Sequence, residues 1–189
     1  DDWAQQTIEL TVGARAYVEW LPQELILFNG GRFRQTVRVD LAPGGVWLGW
    51  DITRFGRSAR RETLIAGQWR SQTEVWQQGT PLWIDRQQLT GGTEVLSSYH
   101  GLAGYPVVGT FLLLGHDIDS KNLSSIRKRL NGQPHTPGDI GLTQLEQGLV
   151  VRYRGPSSQM ARQNFIRIWQ YLRTEVLGRK AYLPRVWGV

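Results

Sequence analysis

Apolar and polar residues alternate over short runs up to about residue 115, and Gly, Pro or Asn breaks the runs at roughly ten-residue intervals. That rhythm restricts the chain to a fold built mainly of short strands. In "TIELTV", Ile8, Leu10 and Val12 alternate with Thr7, Glu9 and Thr11, the period of a half-buried strand. "GARAYVEW" continues the pattern. In "RFRQTVRVDL", Phe33, Val37, Val39 and Leu41 point one way and Arg34, Thr36, Arg38 and Asp40 the other. Pro43-Gly44-Gly45 marks a turn before the strand "VWLGWDI". "QWRSQTEVWQQGTPLWIDRQQLTGG" predicts two strands around a Gln-Gly-Thr-Pro turn, closed by Gly91-Gly92. "YPVVGTFLLLG" is more uniformly apolar, which predicts a strand buried on both faces.

Beyond Gly115 the pattern changes. Asp119 to Leu130 fits a short helix, "NGQPHTPGD" a loop, and "GLTQLEQGLVVRYRG" a hairpin turning at Glu146-Gln147-Gly148. The clearest helix runs from Ser158 to Leu177. Its apolar stripe is Ala161, Phe165, Ile168, Trp169, Leu172 and Val176, and its opposite face carries Arg162, Arg167 and Arg173. Ser157 is placed to cap its start and Gly178 its end. Pro184 keeps the tail "RKAYLPRVWGV" extended. Strands at this spacing fit a sandwich, a barrel or an irregular β-solenoid. The loop at 131–138 is no domain boundary, so residues 1–189 read as one domain.

Composition removes several function classes. The absence of cysteine excludes disulfides and thiolate metal sites. The three histidines, His100, His116 and His135, share no short spacing, which argues against a pre-built metal cage. There is no Gly-x-Ser-x-Gly elbow, and "NGGRF" lacks the spacing and lysine of a phosphate loop. No pair of carboxylates stands out as acid and base. The expectation is a protein that is not an enzyme and holds no permanent cofactor.

The formal charge is +6, and arginine supplies nearly all of the positive charge. Arginine excess fits a plain basic surface, or recognition of acidic protein or phosphate through forked contacts. Nine tryptophans, among them Trp47, Trp50, Trp69, Trp76 and Trp83 on predicted strands, allow an arginine-rich nucleic-acid-binding β module as the alternative reading. Strand tryptophans more often serve the core or sheet packing, and there is no basic block or compact RNA-binding motif. The longest apolar run, Val107 to Gly115, is shorter than the about 20 residues needed to span a bilayer. With no leader pattern at the start, a soluble, cytoplasmic protein is expected. The opening "DDWAQQTIELTVG" is already in strand rhythm and has no initiator methionine, so it reads as a piece whose front has been removed.

Three acids sit inside apolar strands: Glu19 in "YVEW", Asp51 in "GWDI" and Asp85 in "LWIDR". Alternation places Val46, Leu48, Trp50 and Ile52 on one face, and Trp47, Gly49 and Asp51 on the other. Asp51 either pairs with Arg54 or Arg57 across a turn on a partly wet face, or lines an internal water-filled passage. A buried carboxylate is costly unless it is paired, hydrated or metal-bound. In a wet passage it binds a divalent ion weakly, which suits transfer rather than storage.

Six segments together resemble the urease accessory protein D family (UreD, also called UreH). They are "EWLPQELILFNGGRFRQ", "LGWDITRFGR", "PLWIDRQQLTGG", "GYPVVGTFLLLG", "GLVVRYRGPSSQMARQNFIRIWQYLR" and "LGRKAYLPRVW", in the family's order along the chain. Two departures stand out. The family's N-terminal portion with its Gly-Gly-Gly and Gly-Asp motifs is absent, and the close is "PRVW" where Pro-Arg-Ile-Trp is usual. If the absent strands belong to the same β-architecture, a raw sheet edge is exposed.

The resemblance implies a mainly β fold with helices, an irregular β-solenoid or stacked-sheet architecture with a long C-terminal amphipathic helix. It implies a non-catalytic scaffold that binds urease apoprotein, the F-type accessory protein and the G-type accessory GTPase. Nickel would be transient cargo, and neither nucleic acid nor membrane would be a partner. Asp51 becomes the first candidate for a nickel-transit tunnel, followed by Glu19 and Asp85. Arg162, Arg167, Arg185 and Trp187 are the candidates for partner contact, against the alternative that the helix packs on the sheet and the tail straps the core.

Overall fold

A computed structural model of the chain describes residues 2–131 and 138–187. His135 and most of the loop expected at 131–138 lie outside the described residues.

The first sheet has the order β1 (Ala4–Val12), β4 (Arg32–Leu41), β6 (Gln68–Gln77), β7 (Thr80–Thr90). The second has the order β2 (Tyr17–Trp20), β5 (Val46–Phe55), β8 (Val107–Leu114), β10 (Gly148–Gly155), β9 (Asp139–Leu145), with β3 (Leu25–Leu27) also pairing β5. From β1 to β6 the chain passes back and forth between the sheets and returns parallel to itself. Ala4 lies opposite Phe33, and Tyr17 opposite Val46, in each case 29 residues on. The β6–β7 hairpin ends this winding, and every later pairing is antiparallel. Its two-residue turn, Gln78-Gly79, has positive φ at both positions (50° and 79°), the primed geometry that matches strand twist and that glycine adopts without strain.

The chain is mainly β, and its sheets stack. The inward faces of the two sheets meet through Val12, Val39, Leu41, Trp47, Val75 and Leu114. The other face of the second sheet is covered by α1 (Ser120–Asn131) and α2 (Ser158–Tyr171). β5 and β8 are therefore buried on both sides, which accounts for their nearly unbroken apolar sequences. Phe165, Ile168 and Trp169 of α2 pack on Trp50, Phe111 and Val151 of the sheet. Each such side chain contributes roughly 1.5–3 kcal/mol by leaving water.

The expected Ser157 cap is present: its hydroxyl accepts from the Met160 amide at 3.4 Å. Asp119, not foreseen as a cap, accepts from the Asn122 amide at 2.7 Å at the start of α1. The expected helix to Leu177 is not α-helical throughout. It ends at Tyr171 and continues as a π-helical turn, Leu172–Val176, with Leu177 N–H donating to Leu172 C=O at 2.9 Å. This wider turn keeps Leu172 in the core while Arg173 reaches back to the sheet. Nor is the tail extended to its end. A 3-10 turn over Arg185–Trp187 folds Trp187 onto Trp50 and Trp169, with ring centroids 5.0 and 5.3 Å apart.

Candidate functional site: a polar layer between two sheets

Strand register assembles the site. Across the second sheet Asp51, Thr110 and Arg152 lie opposite one another on β5, β8 and β10. Across the first sheet one row is Gln35, Ser71 and Gln87 and the next is Val37, Thr73 and Asp85, on β4, β6 and β7. Facing inward, these rows put a polar belt in the middle of the sandwich. Gln35, Thr53, Ser71, Thr73 and Thr110 are all buried there. An apolar cluster around Val39 and Leu114 closes one end, and a second around Phe55 and Trp69 closes the other.

Asp51 stands inside this belt. It borders a small cavity with Trp20, Trp47, Gly49, Thr73 and Thr110, whose free space of about 10 Å³ holds roughly one water. A Cβ on Gly49 would lie 2.3 Å from the Trp47 indole, so only glycine lets that ring lie along the strand beside Asp51. The indole N–H groups of Trp20 and Trp47 are buried and have no protein partner among the described residues. Buried donors left unpaired beside a carboxylate favour hydration of the cavity. Asp51 also borders a larger cavity, about 210 Å³, with Gln6, Trp20, Glu24 and Gln35 on the β1–β2 side.

On the β7–β10 side the belt is closed by charge. Arg152 pairs with Asp85 at 2.9 Å, and the Gln87 amide bridges Asp85 at 2.7 Å and Thr110 Oγ1 at 3.3 Å. Arg152 also lies over the Trp83 ring at 5.6 Å. Burial, reinforced by the charge of Asp85 and opposed by Arg152, pushes the Asp51 carboxyl up to about 7. Asp51 therefore changes charge near neutrality. Among the described residues no group of three or more His, Cys, Asp or Glu is placed to hold a metal ion. The belt offers one or two oxygen ligands, hard donors that hold a borderline ion loosely.

Glu19 lies elsewhere. It projects from the second sheet toward the helices, where it accepts from Trp169 Nε1 at 2.7 Å, from Arg173 at 2.6 Å and from the Tyr17 hydroxyl. Asp51 and Asp85 thus share the polar layer, and Glu19 anchors the end of α2. Asp51 pairs with neither Arg54, which donates to Pro156 C=O, nor Arg57, which pairs with Glu62.

The partner-contact candidates also separate. Arg162 is tied to Glu24, and Trp187 is packed in the strap. Arg185 is exposed. Arg167 borders a groove of about 690 Å³ between α1 and α2, beside Lys128 and Arg129. Trp47, Trp50 and Trp69 are core residues and so are not available to stack on bases. No helix among the described residues is long and apolar enough to cross a membrane.

Sequence reasoning missed Gln35, Thr73, Gln87, Thr110 and Arg152. Their signal was present. Each is a polar interruption on an otherwise apolar inward face, and the interruptions coincide only once register is known.

A stacked two-sheet protein with a helical cover and a polar layer holding two acids matches a known family along almost its whole length. The family model described as UreD urease accessory protein matches residues 1–188. The chain belongs to that family. It is 53% identical over 185 residues to the urease accessory protein UreD of Acaryochloris marina, covering 97% of this chain and 65% of that protein. It is 50% identical to the Nostoc punctiforme protein of the same name, covering 98% and 65%. The Azoarcus sp. protein, 38% identical, is covered over 94% of this chain and 61% of its own length. The chain therefore spans just under two thirds of the relatives it matches.

Proposed function

We propose that this protein serves urease maturation as a non-catalytic scaffold, bridging urease apoprotein to the F-type accessory protein and the G-type accessory GTPase, with nickel as passing cargo. The observation that carries the reading is Asp51, a carboxylate inside the sandwich beside a water-sized cavity, bordering a larger cavity on one side and approached by the Asp85–Arg152 pair on the other. Nickel enters beside Gln35 and Glu24, exchanges water for the Asp51 carboxylate, and leaves by the Asp85 side when Arg152 swings away. Oxygen ligation keeps each stop weak, as transfer requires. Membership of a family named for its accessory role to urease supports the same assignment.

The test is co-expression of the protein with urease apoprotein and the F- and G-type proteins, followed by size-exclusion chromatography and a urease assay with and without added nickel. A complex containing the protein, together with nickel-dependent activation that needs it, is expected. Urease that reaches the same activity without the protein contradicts the reading.

A further inference from the structure

We infer that the outer face of the first sheet is a docking site for an acidic segment of a partner protein, centred on Arg34 and Arg70. These residues lie directly opposite each other on the parallel strands β4 and β6. Neighbouring strands run about 4.8 Å apart, and like charges facing each other across them destabilise a sheet. Several other arginines are paired with acids, among them Arg57 with Glu62, Arg152 with Asp85, Arg154 with Asp139, Arg162 with Glu24 and Arg173 with Glu19. Among the described residues Arg34 and Arg70 have no such partner. Both guanidiniums lie instead over the one ring of Trp3, 5.3 and 5.0 Å from its centroid. That contact orients the two charges without neutralising them.

The two arginines line a groove of about 560 Å³ with Arg86, Gln72, Gln88 and Thr36, and among the described residues no carboxylate lines it, although Glu74 holds Arg86 at 3.2 Å and the Gln72 amide at 2.7 Å. Guanidinium forks beside amide donors fit carboxylates held in bidentate pairs. The strip is short. In the next row but one, Glu9, Arg38 and Glu74 stand opposite one another, and Arg38 is already held by Asp40 and Glu74. A nucleic-acid backbone tracking this face would run onto Glu74 and Glu9, whereas a segment with two or three acidic side chains ends before them. The charge pattern thus selects an acidic protein segment.

Fluorescence anisotropy with a labelled oligo-glutamate peptide tests this on the intact protein. The Arg34→Glu/Arg70→Glu variant should bind about tenfold more weakly or worse, and should gain affinity for an oligo-lysine peptide. The control Arg60→Glu/Arg61→Glu, which makes the same charge change on an exposed turn, should shift affinity by less than about threefold. All four arginines are exposed, so both variants should keep the wild-type melting temperature, which a thermal melt checks before binding is compared. Equal losses in the two variants would reduce the effect to net charge and overturn the site. So would failure of the wild type to bind the peptide, or tighter binding of a single-stranded oligonucleotide through Arg34 and Arg70.

Discussion

Glu19 and Asp51 stand on β2 and β5, hydrogen-bonded neighbours in one sheet, and project to its opposite faces. Glu19 is level with Leu48, which points to the helices, while Asp51 shares the parity of Trp47 and Gly49, which point between the sheets. Two acids of the same sequence character therefore have different chemistry. One is tied by an indole, a phenol and a guanidinium, and the other lines a water-sized cavity.

Glu19→Ala should lower stability to urea by about 2 kcal/mol, because it strands the buried Trp169 N–H and unpairs Arg173. Glu19→Gln should lose less, since the amide oxygen still accepts from the indole. Equilibrium unfolding of both variants measures this, and a neutral Glu19→Ala contradicts the anchoring role.

Asp51 predicts a pH dependence with a definite sign. Its proton is held more tightly in the folded chain, near 7, than at the ordinary value of 3.8. Folding takes up a proton between those values, so this group's contribution to stability is fully present below about pH 4 and is lost as pH rises through 7. Asp85, Arg152, Gln35, Thr73 and Thr110 face it from the surrounding strands. Asp51→Asn escapes the loss. Its melting temperature should match wild type near pH 4, exceed it increasingly as pH rises toward 7 and keep a constant lead above that, and a difference that does not change between pH 4 and 7 contradicts burial as the cause.

Arg152 opposes the upward shift of Asp51. Arg152→Gln should therefore move the Asp51 titration higher than about 7, read from the carboxyl carbon by NMR. A downward movement would mean that Asp85, freed from Arg152, has turned away from the layer.

Trp187→Ala removes a ring packed against Trp50 and edge-to-face with Trp169 and should cost about 1–3 kcal/mol in thermal or urea unfolding. Arg185→Ala, on the exposed side of the same turn, should leave stability unchanged. If both are neutral, the tail is not a strap.

Local pattern made much of this legible. The alternation around Val46–Ile52 correctly separates Asp51 from Leu48 and Trp50, and the β6–β7 turn, the β9–β10 hairpin and the Ser157 cap follow from residue chemistry alone. What parity cannot supply is which face of a strand meets helices and which meets the other sheet. That is decided by partners far along the chain, such as Trp169 for Glu19 and Arg152 for Asp85. The polar belt is invisible for the same reason. Gln35, Thr73 and Thr110 look like unrelated interruptions until parallel and antiparallel pairing brings them level.

Nickel content of urease matured with Asp51→Ala in place of the wild-type protein tests the central claim most directly, measured on urease purified from cells expressing the F- and G-type proteins as well. The variant should still co-purify with urease apoprotein, because Asp51 lies between the sheets and not on an outer face, and the nickel bound per urease should fall several-fold. Full nickel loading with the variant complex intact would contradict passage through the layer.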